Sequence, residues 1–89
     1  MAQSVGNYRI TGHALAEMER RGIDESIVRR VLAALEQRHA VRPGRDVLQS
    51  RVTFGDKTCL VRAFVDRKPV KVVTVYRTSK IAKYWRGEP

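Results

Sequence analysis

The chain has 89 residues, 43% hydrophobic and 30% charged, and its 18 Lys and Arg outnumber 9 Asp and Glu to leave a net charge of +9. This length is too short for two hydrophobic cores and the aliphatic content too high for a disordered chain, so a single folded domain is expected over residues 1–89, with an ordered core from about 8 to 85. The charge is that of a domain that meets a polyanion, with solubility alone as the plain alternative. Nucleic acid fits better than a membrane surface, since no segment pairs a cationic face with a bulky apolar one.

The single Cys59 cannot close a disulfide within the chain and sits in an apolar alternating run, so it reads as a small buried hydrophobe in a reducing, cytoplasmic protein. Met1 to Tyr8 lacks the cationic start and apolar stretch of a secretory signal, and no apolar run approaches the ~18 residues of a membrane span. No membrane association is expected.

In chain order, the first seven residues are polar or small and are expected to fray, with regular structure starting at Tyr8-Arg9-Ile10. Thr11 is a candidate N-cap for a helix through His13 to Arg21, and Gly22 offers the left-handed stop. Asp24 is placed to cap a second helix, whose Ile27, Val28, Val31, Leu32 and Leu35 form an apolar stripe of 3.6 period. After Gln37 the period changes, and Arg42-Pro43-Gly44-Arg45 marks a turn. Val47–Phe54 and Thr58–Val65 then alternate about a Gly55-Asp56-Lys57 loop, and after an Asp66-Arg67-Lys68-Pro69 turn the run Val70–Thr78 is the strongest strand. A short last element is expected through Ile81, Tyr84 and Trp85.

This order predicts an α+β domain: two N-terminal helices packed on a three- to four-stranded antiparallel sheet, with a short basic C-terminal tail. If Phe54 faces Thr58 and Val65 faces Val70, one face collects Leu48, Val52, Phe54, Leu60, Phe64, Val73 and Val75 for the helices to cover. The other collects Gln49, Arg51, Cys59, Val61, Ala63, Val72, Thr74, Tyr76 and Thr78. A change of one residue in either loop swaps the sets.

Candidate functional residues fall in three places. His13 lies in the first turn of helix one, a setting that favours a neutral imidazole able to accept a proton. Glu17 and Arg20 share its side, while Leu15 and Met18 point to the core; a solvated face of i,i+4 pairs is the competing reading. A metal at His13 and Glu17 is disfavoured, because no second His- or Cys-rich element exists; no metal or other cofactor is expected. Tyr76-Arg77-Thr78-Ser79-Lys80 closes the last strand with groups that can neutralise phosphate, or simply marks its exit from the core. The tail Lys80-Ile81-Ala82-Lys83-Tyr84-Trp85-Arg86 interleaves cations with aromatics, as stacking on unpaired bases requires, or docks on the sheet as an apolar latch. Arg20, Arg51, Arg77, Lys80, Lys83 and Arg86 are the residues expected to meet nucleic acid, RNA before DNA.

The segment Ile10-Thr11-Gly12-His13-Ala14-Leu15, the corner Arg20-Arg21-Gly22-Ile23-Asp24 and the late Val72-Val73-Thr74-Val75-Tyr76-Arg77-Thr78 resemble a widespread bacterial family of small domains of unknown function. Its members occur alone or as C-terminal toxin modules. The Arg-Gly-Ile-Asp corner and the last strand running into a basic tail more loosely resemble BrnT toxins and the RelE/ParE fold. The resemblance implies a metal-independent endoribonuclease or interference toxin of that fold, held by a cognate antitoxin protein. On that resemblance His13, Arg21, Tyr76 and Thr78 are the catalytic candidates. BrnT-like sequences carry more Arg in the last strand, where this chain has Tyr76 and Thr78. A non-catalytic module that docks nucleic acid or a protein partner is the alternative.

Overall fold

The computed structural model describes residues 7–67 and 69–87; the N-terminal residues expected to fray, through Gly6, and Lys68 of the expected turn lie outside that range. Two helices come early, α1 at Gly12–Arg20 and α2 at Glu25–Ala33, after a short strand β1 at Arg9–Ile10. Four strands follow, β2 at Gln37–Arg42, β3 at Arg45–Phe54, β4 at Lys57–Asp66 and β5 at Lys71–Thr78, and a one-turn α3 at Ile81–Tyr84 ends the chain.

Helix α1 starts where the Thr11 hydroxyl accepts a hydrogen bond from the Ala14 N–H at 3.1 Å, satisfying one of the free donors of the first turn. It ends at Gly22, whose φ of 65° few other residues tolerate, and the Ile23 N–H closes the turn on the Met18 carbonyl at 2.8 Å. Ala14 and Met18 are the buried pair of this helix, four residues apart, whereas Leu15, expected in the core, is 45% exposed. The small Ala14 side chain lets α1 approach β5, and Leu15 lies a hundred degrees further round the helix. Asp24 precedes α2 in extended backbone, but its carboxylate accepts from the Ser26 hydroxyl at 2.5 Å and caps no backbone N–H. The stripe Val28, Val31 and Leu32 is buried as expected.

The sheet differs from the expectation. It has five strands in the order β1-β5-β4-β3-β2, with β1 parallel to β5 and the remaining pairs antiparallel. The predicted two helices on a three- to four-stranded antiparallel sheet are thus replaced by a five-stranded mixed sheet with three short helices. β1 has only two residues, too few to display a period. β2 reads Gln-Arg-His-Ala-Val-Arg with no buried residue, because it is an edge strand; its polar sequence resembles the continuation of a helix end. The Pro43-Gly44 pair, with Gly44 at φ 84°, therefore turns a β2–β3 hairpin rather than separating a helical half from a sheet half.

The register is also corrected. Phe54 pairs with Lys57 across a two-residue Gly55-Asp56 turn, one residue tighter than the assumed pairing with Thr58. That shift turns β4 over, so Val61, Ala63 and Val65 join Leu48, Val52, Val72 and Val75 in the core under α1 and α2. Leu60, Arg62 and Phe64 move to the outer face, where Gln49, Arg51, Thr74, Tyr76 and Thr78 were expected and are found. Val65 pairs with Val72, not Val70, and the ladder slips by one residue between Phe64 and Val65, which lets Val72 and Val75 both face the helices.

Two outcomes follow from this packing. Gly22→Ala should destabilise the domain by about 1–2 kcal/mol through left-handed strain rather than crowding, since a Cβ there meets only the Arg77 guanidinium at 3.7 Å. Urea unfolding measures it, with Gly22→Asn expected to cost less. Cys59, 6% exposed in β4, should react with a thiol reagent slowly in native protein and fast in denaturant.

Candidate functional site

Alternation along β3, β4 and β5 sends one set of side chains to the helices and the other to the outer face, and the outer set forms rungs across the sheet. Gln37, Gln49, Arg62 and Tyr76 stand side by side on β2, β3, β4 and β5. One rung away, His39 and Phe64 flank the same positions, through the pairs His39 with Val47 and Val47 with Phe64. The C-terminal segment then crosses this face.

Arg62 is the centre of this arrangement. Its Nε donates to Gln49 Oε1 at 2.9 Å and its Nη1 to the Tyr76 hydroxyl at 2.5 Å. The guanidinium lies 4.4 Å from the Tyr84 ring, 5.4 Å from Phe64 and 5.6 Å from Tyr76. Among the described residues no carboxylate pairs with it, although Arg20, Arg21, Arg29, Arg38, Arg45, Arg51 and Arg67 all have one. A half-buried cation satisfied only by neutral acceptors and ring faces keeps its charge available to a visiting anion.

His39 adjoins it through Gln49 and Gln37. The Gln49 amide, fully buried, donates to Gln37 Oε1 at 2.7 Å and to the Tyr84 carbonyl at 3.1 Å, which engages both of its hydrogens. His39 Nε2, 3.3 Å from Gln37 Oε1 and 3.4 Å from Gln49 Nε2, is therefore best placed as the protonated nitrogen donating to Gln37, with the lone pair on Nδ1. Partial burial, reinforced by the positive charges of Arg86 and Arg62, holds the imidazole below its ordinary 6.5 and favours the neutral ring. Tyr76 accepts from Arg62, so its own hydroxyl hydrogen is left to donate.

The C-terminal segment is tied to the same groups. Gln37 Nε2 donates to the Arg86 carbonyl at 2.6 Å, and the Arg86 N–H returns to Gln37 Oε1 at 3.2 Å. Tyr84 meets Tyr76 edge-on at 6.3 Å, and Arg51 stacks 4.3 Å over Trp85. The carboxylate of Glu36, held below its usual range chiefly by the Arg51 guanidinium, fixes Arg51 at 2.6 Å.

The residues singled out from sequence divide between the two sides of the sheet. Tyr76, Arg51, Lys83 and Arg86 gather on the outer face or in the segment that crosses it, with Lys83 5.4 Å from the Tyr84 ring. Thr78 shares that face beside Leu60, but its hydroxyl accepts the Lys80 N–H at 3.1 Å and serves the turn into α3. His13 and Arg20 belong to α1 and Arg21 caps its C-terminal end, on the opposite side, where Arg20 and Arg21 both bind Glu17, at 2.5 and 3.0 Å. Arg77 also points to the helix side and stacks 4.2 Å over Phe54. His13 and Tyr76 are thus not brought together, and the sheet lies between them. No group of acidic, His or Cys residues suited to a metal ion exists among the described residues.

Sequence reading missed Arg62, Gln49, Gln37, His39 and Tyr84 as one constellation. A signal was present for two of them: Arg62 and Gln49 are polar residues in mid-strand, in the runs Leu60-Val61-Arg62-Ala63-Phe64 and Val47-Leu48-Gln49. His39, in an unrecognised edge strand, offered none.

Among the described residues no helix is long and apolar enough to cross a membrane. Neither the curated proteins nor the solved structures yield a match, so the likeness to BrnT and RelE/ParE toxins gains no support from them. A family model does match, over residues 10–77, from β1 to the end of β5, and on that span the chain belongs to the DUF4258 family, a domain of unknown function.

Proposed function

We propose that this domain is a metal-independent, RNA-directed endoribonuclease of toxin type whose active surface is the outer face of the sheet. The observation that carries the reading is Arg62: a half-buried guanidinium without a carboxylate, hydrogen-bonded to Tyr76 on one side and linked through Gln49 and then Gln37 to a neutral His39 on the other. Transesterification of RNA needs those three kinds of group.

In this reading Arg62 holds the non-bridging oxygens of one phosphate. His39 Nδ1 takes the proton of the adjacent 2′-hydroxyl, and the 2′-oxygen attacks phosphorus. The bond from phosphorus to the 5′-oxygen breaks, and that oxygen takes the Tyr76 hydroxyl proton. The products are a 2′,3′-cyclic phosphate and a 5′-hydroxyl end, and solvent returns the protons. The net charge of +9 supports a polyanionic substrate. The toxin part of the reading rests on resemblance alone, as does an antitoxin that would cover this face.

Purified protein incubated with single-stranded RNA in EDTA should leave those ends. His39→Gln and Tyr76→Phe should each lower kcat by roughly a hundred- to ten-thousand-fold with little change in KM. Arg62→Gln should weaken binding as well. His13→Ala, on the far side of the sheet, is the discriminating control and should cut normally. If His13→Ala abolishes cleavage while His39→Gln does not, the outer-face reading falls; binding without any cleavage leaves the docking module as the answer.

The pH profile has a defined sign. A base whose folded-state protonation is depressed remains neutral below 6.5, so the acid limb of kcat/KM should have its midpoint below that value and vanish in His39→Gln. An acid limb that persists in the variant would assign the base elsewhere.

A further inference from the structure

The outer face carries a second cationic station on the same strands. Arg42 pairs with Arg45 across the β2–β3 turn, Arg45 with Asp66 on β4, and Asp66 with Lys71 on β5, a rung parallel to the Gln37-Gln49-Arg62-Tyr76 rung. It lines a cleft of about 330 Å³ between the two turns, where the Arg67 N–H binds the Gly44 carbonyl at 3.0 Å. The one carboxylate among the described residues that line the cleft, Asp66, is already engaged by Arg45 at 2.6 and 3.1 Å. Arg42 and Lys71 have no ion pair among the described residues, and both act on Asp66 only through longer-range attraction. The cleft is therefore a net-positive, preformed site for an oxyanion.

Its position gives it meaning. Asp66 lies four residues beyond Arg62 on β4, so the two stations are about 13 Å apart at 3.3 Å per strand residue. That exceeds the separation of neighbouring phosphates, so one strand can fill both stations only with different phosphates. Between them the rung is uncharged on β4, where half-buried Phe64 stacks at 6.0 Å on the Tyr76 ring of the Arg62 rung. A duplex shows phosphates and hides its base faces, whereas an unpaired strand can lay a base on such rings.

We infer that the outer face is a track for a single-stranded nucleic acid, with one phosphate at Arg62 and another in the Arg42–Lys71 cleft, the intervening base resting on Phe64. The inference rests on the proposed nucleic-acid reading of this face but not on catalysis there.

The test uses the full chain and 2′-O-methyl oligonucleotides, which lack the attacking hydroxyl and so report binding alone. With a single strand of about eight nucleotides, Arg42→Gln/Lys71→Gln should make the slope of log affinity against log salt shallower by about 1.4, for two lost contacts at about 0.7 each. A dinucleotide, long enough for Arg62 alone, should bind wild type and this variant equally in an NMR titration. Arg29→Gln/Arg30→Gln, on the exposed side of α2, removes the same charge and should leave the slope nearly unchanged. A duplex of equal length should bind at least roughly tenfold more weakly, the loss of one stacked base. Arg42→Gln alone, at an exposed turn position, should give half the slope change and guards against misfolding of the double variant. An unchanged slope, an equal effect of the α2 variant, an equal loss for the dinucleotide, or duplex binding as tight as single-strand binding overturns the track. If the track holds and unmodified RNA is not cut, only the nuclease reading fails; if wild type binds no oligonucleotide, both fall.

Discussion

A charged side chain in the middle of the central strand constrains everything built around it. β4 is third of five strands, and Arg62 lies near its midpoint. Covering that position with helices would bury a guanidinium among aliphatic groups, at a cost of several kcal/mol unless a partner came with it. The helices accordingly take the face of Val61, Ala63 and Val65, and the two-residue turn at Gly55-Asp56 fixes the register that presents it. A slip of one residue would place Arg62 under α1 and α2 and expose three buried aliphatic side chains. The polar position thus selects the fold's sidedness as firmly as the apolar ones do.

The outer face satisfies Arg62 without neutralising it. Gln49 is fully buried and uses its carbonyl for Arg62 and its amide for Gln37 and the Tyr84 carbonyl. The backbone at the end of the one-turn α3 would otherwise carry unpaired groups, and these side-chain amides supply partners for it. One network therefore positions the guanidinium and holds the C-terminal segment across the sheet. No buried side-chain nitrogen or oxygen among the described residues lacks a partner, yet none of the partners of Arg62 carries a negative charge.

What the sequence made legible was whatever local chemistry decides. Thr11 and Gly22 bound α1 because capping and left-handed backbone are properties of single residues. The Val28, Val31 and Leu32 stripe and the alternation of β3 to β5 were readable for the same reason. Pairing was not, since a turn of two residues and one of three are both compatible with Gly55-Asp56-Lys57, and that choice reverses β4. The strand β2 was hidden because an edge strand with one partner and an exposed face need not alternate. The site suffered most from this. With β2 absent and β4 reversed, Gln37 and His39 had no place beside Gln49, and Arg62 was never set opposite Tyr76. The position of His13 in the first turn of a helix marks it as a candidate base, but does not tell which side of the sheet that helix covers, and α1 packs on the side away from Tyr76.

The distribution of carboxylates leaves the central cation of the sheet unpaired. Glu17, Glu25, Glu36, Asp46 and Asp66 each bind a neighbouring Arg, on helix surfaces or toward the ends of the sheet. The exposed pairs, such as Arg29 with Glu25, contribute about 0–1 kcal/mol each. Each of these carboxylates binds a cation outside the Gln37-Gln49-Arg62-Tyr76 rung, and none cancels Arg62. A domain that needed +9 only for solubility could carry it anywhere on its surface. Here a central cation is kept unpaired, surrounded by ring faces and amides that accept its hydrogen bonds without removing its charge. That combination of charge and ring faces is what the proposed nucleic-acid reading of this face rests on.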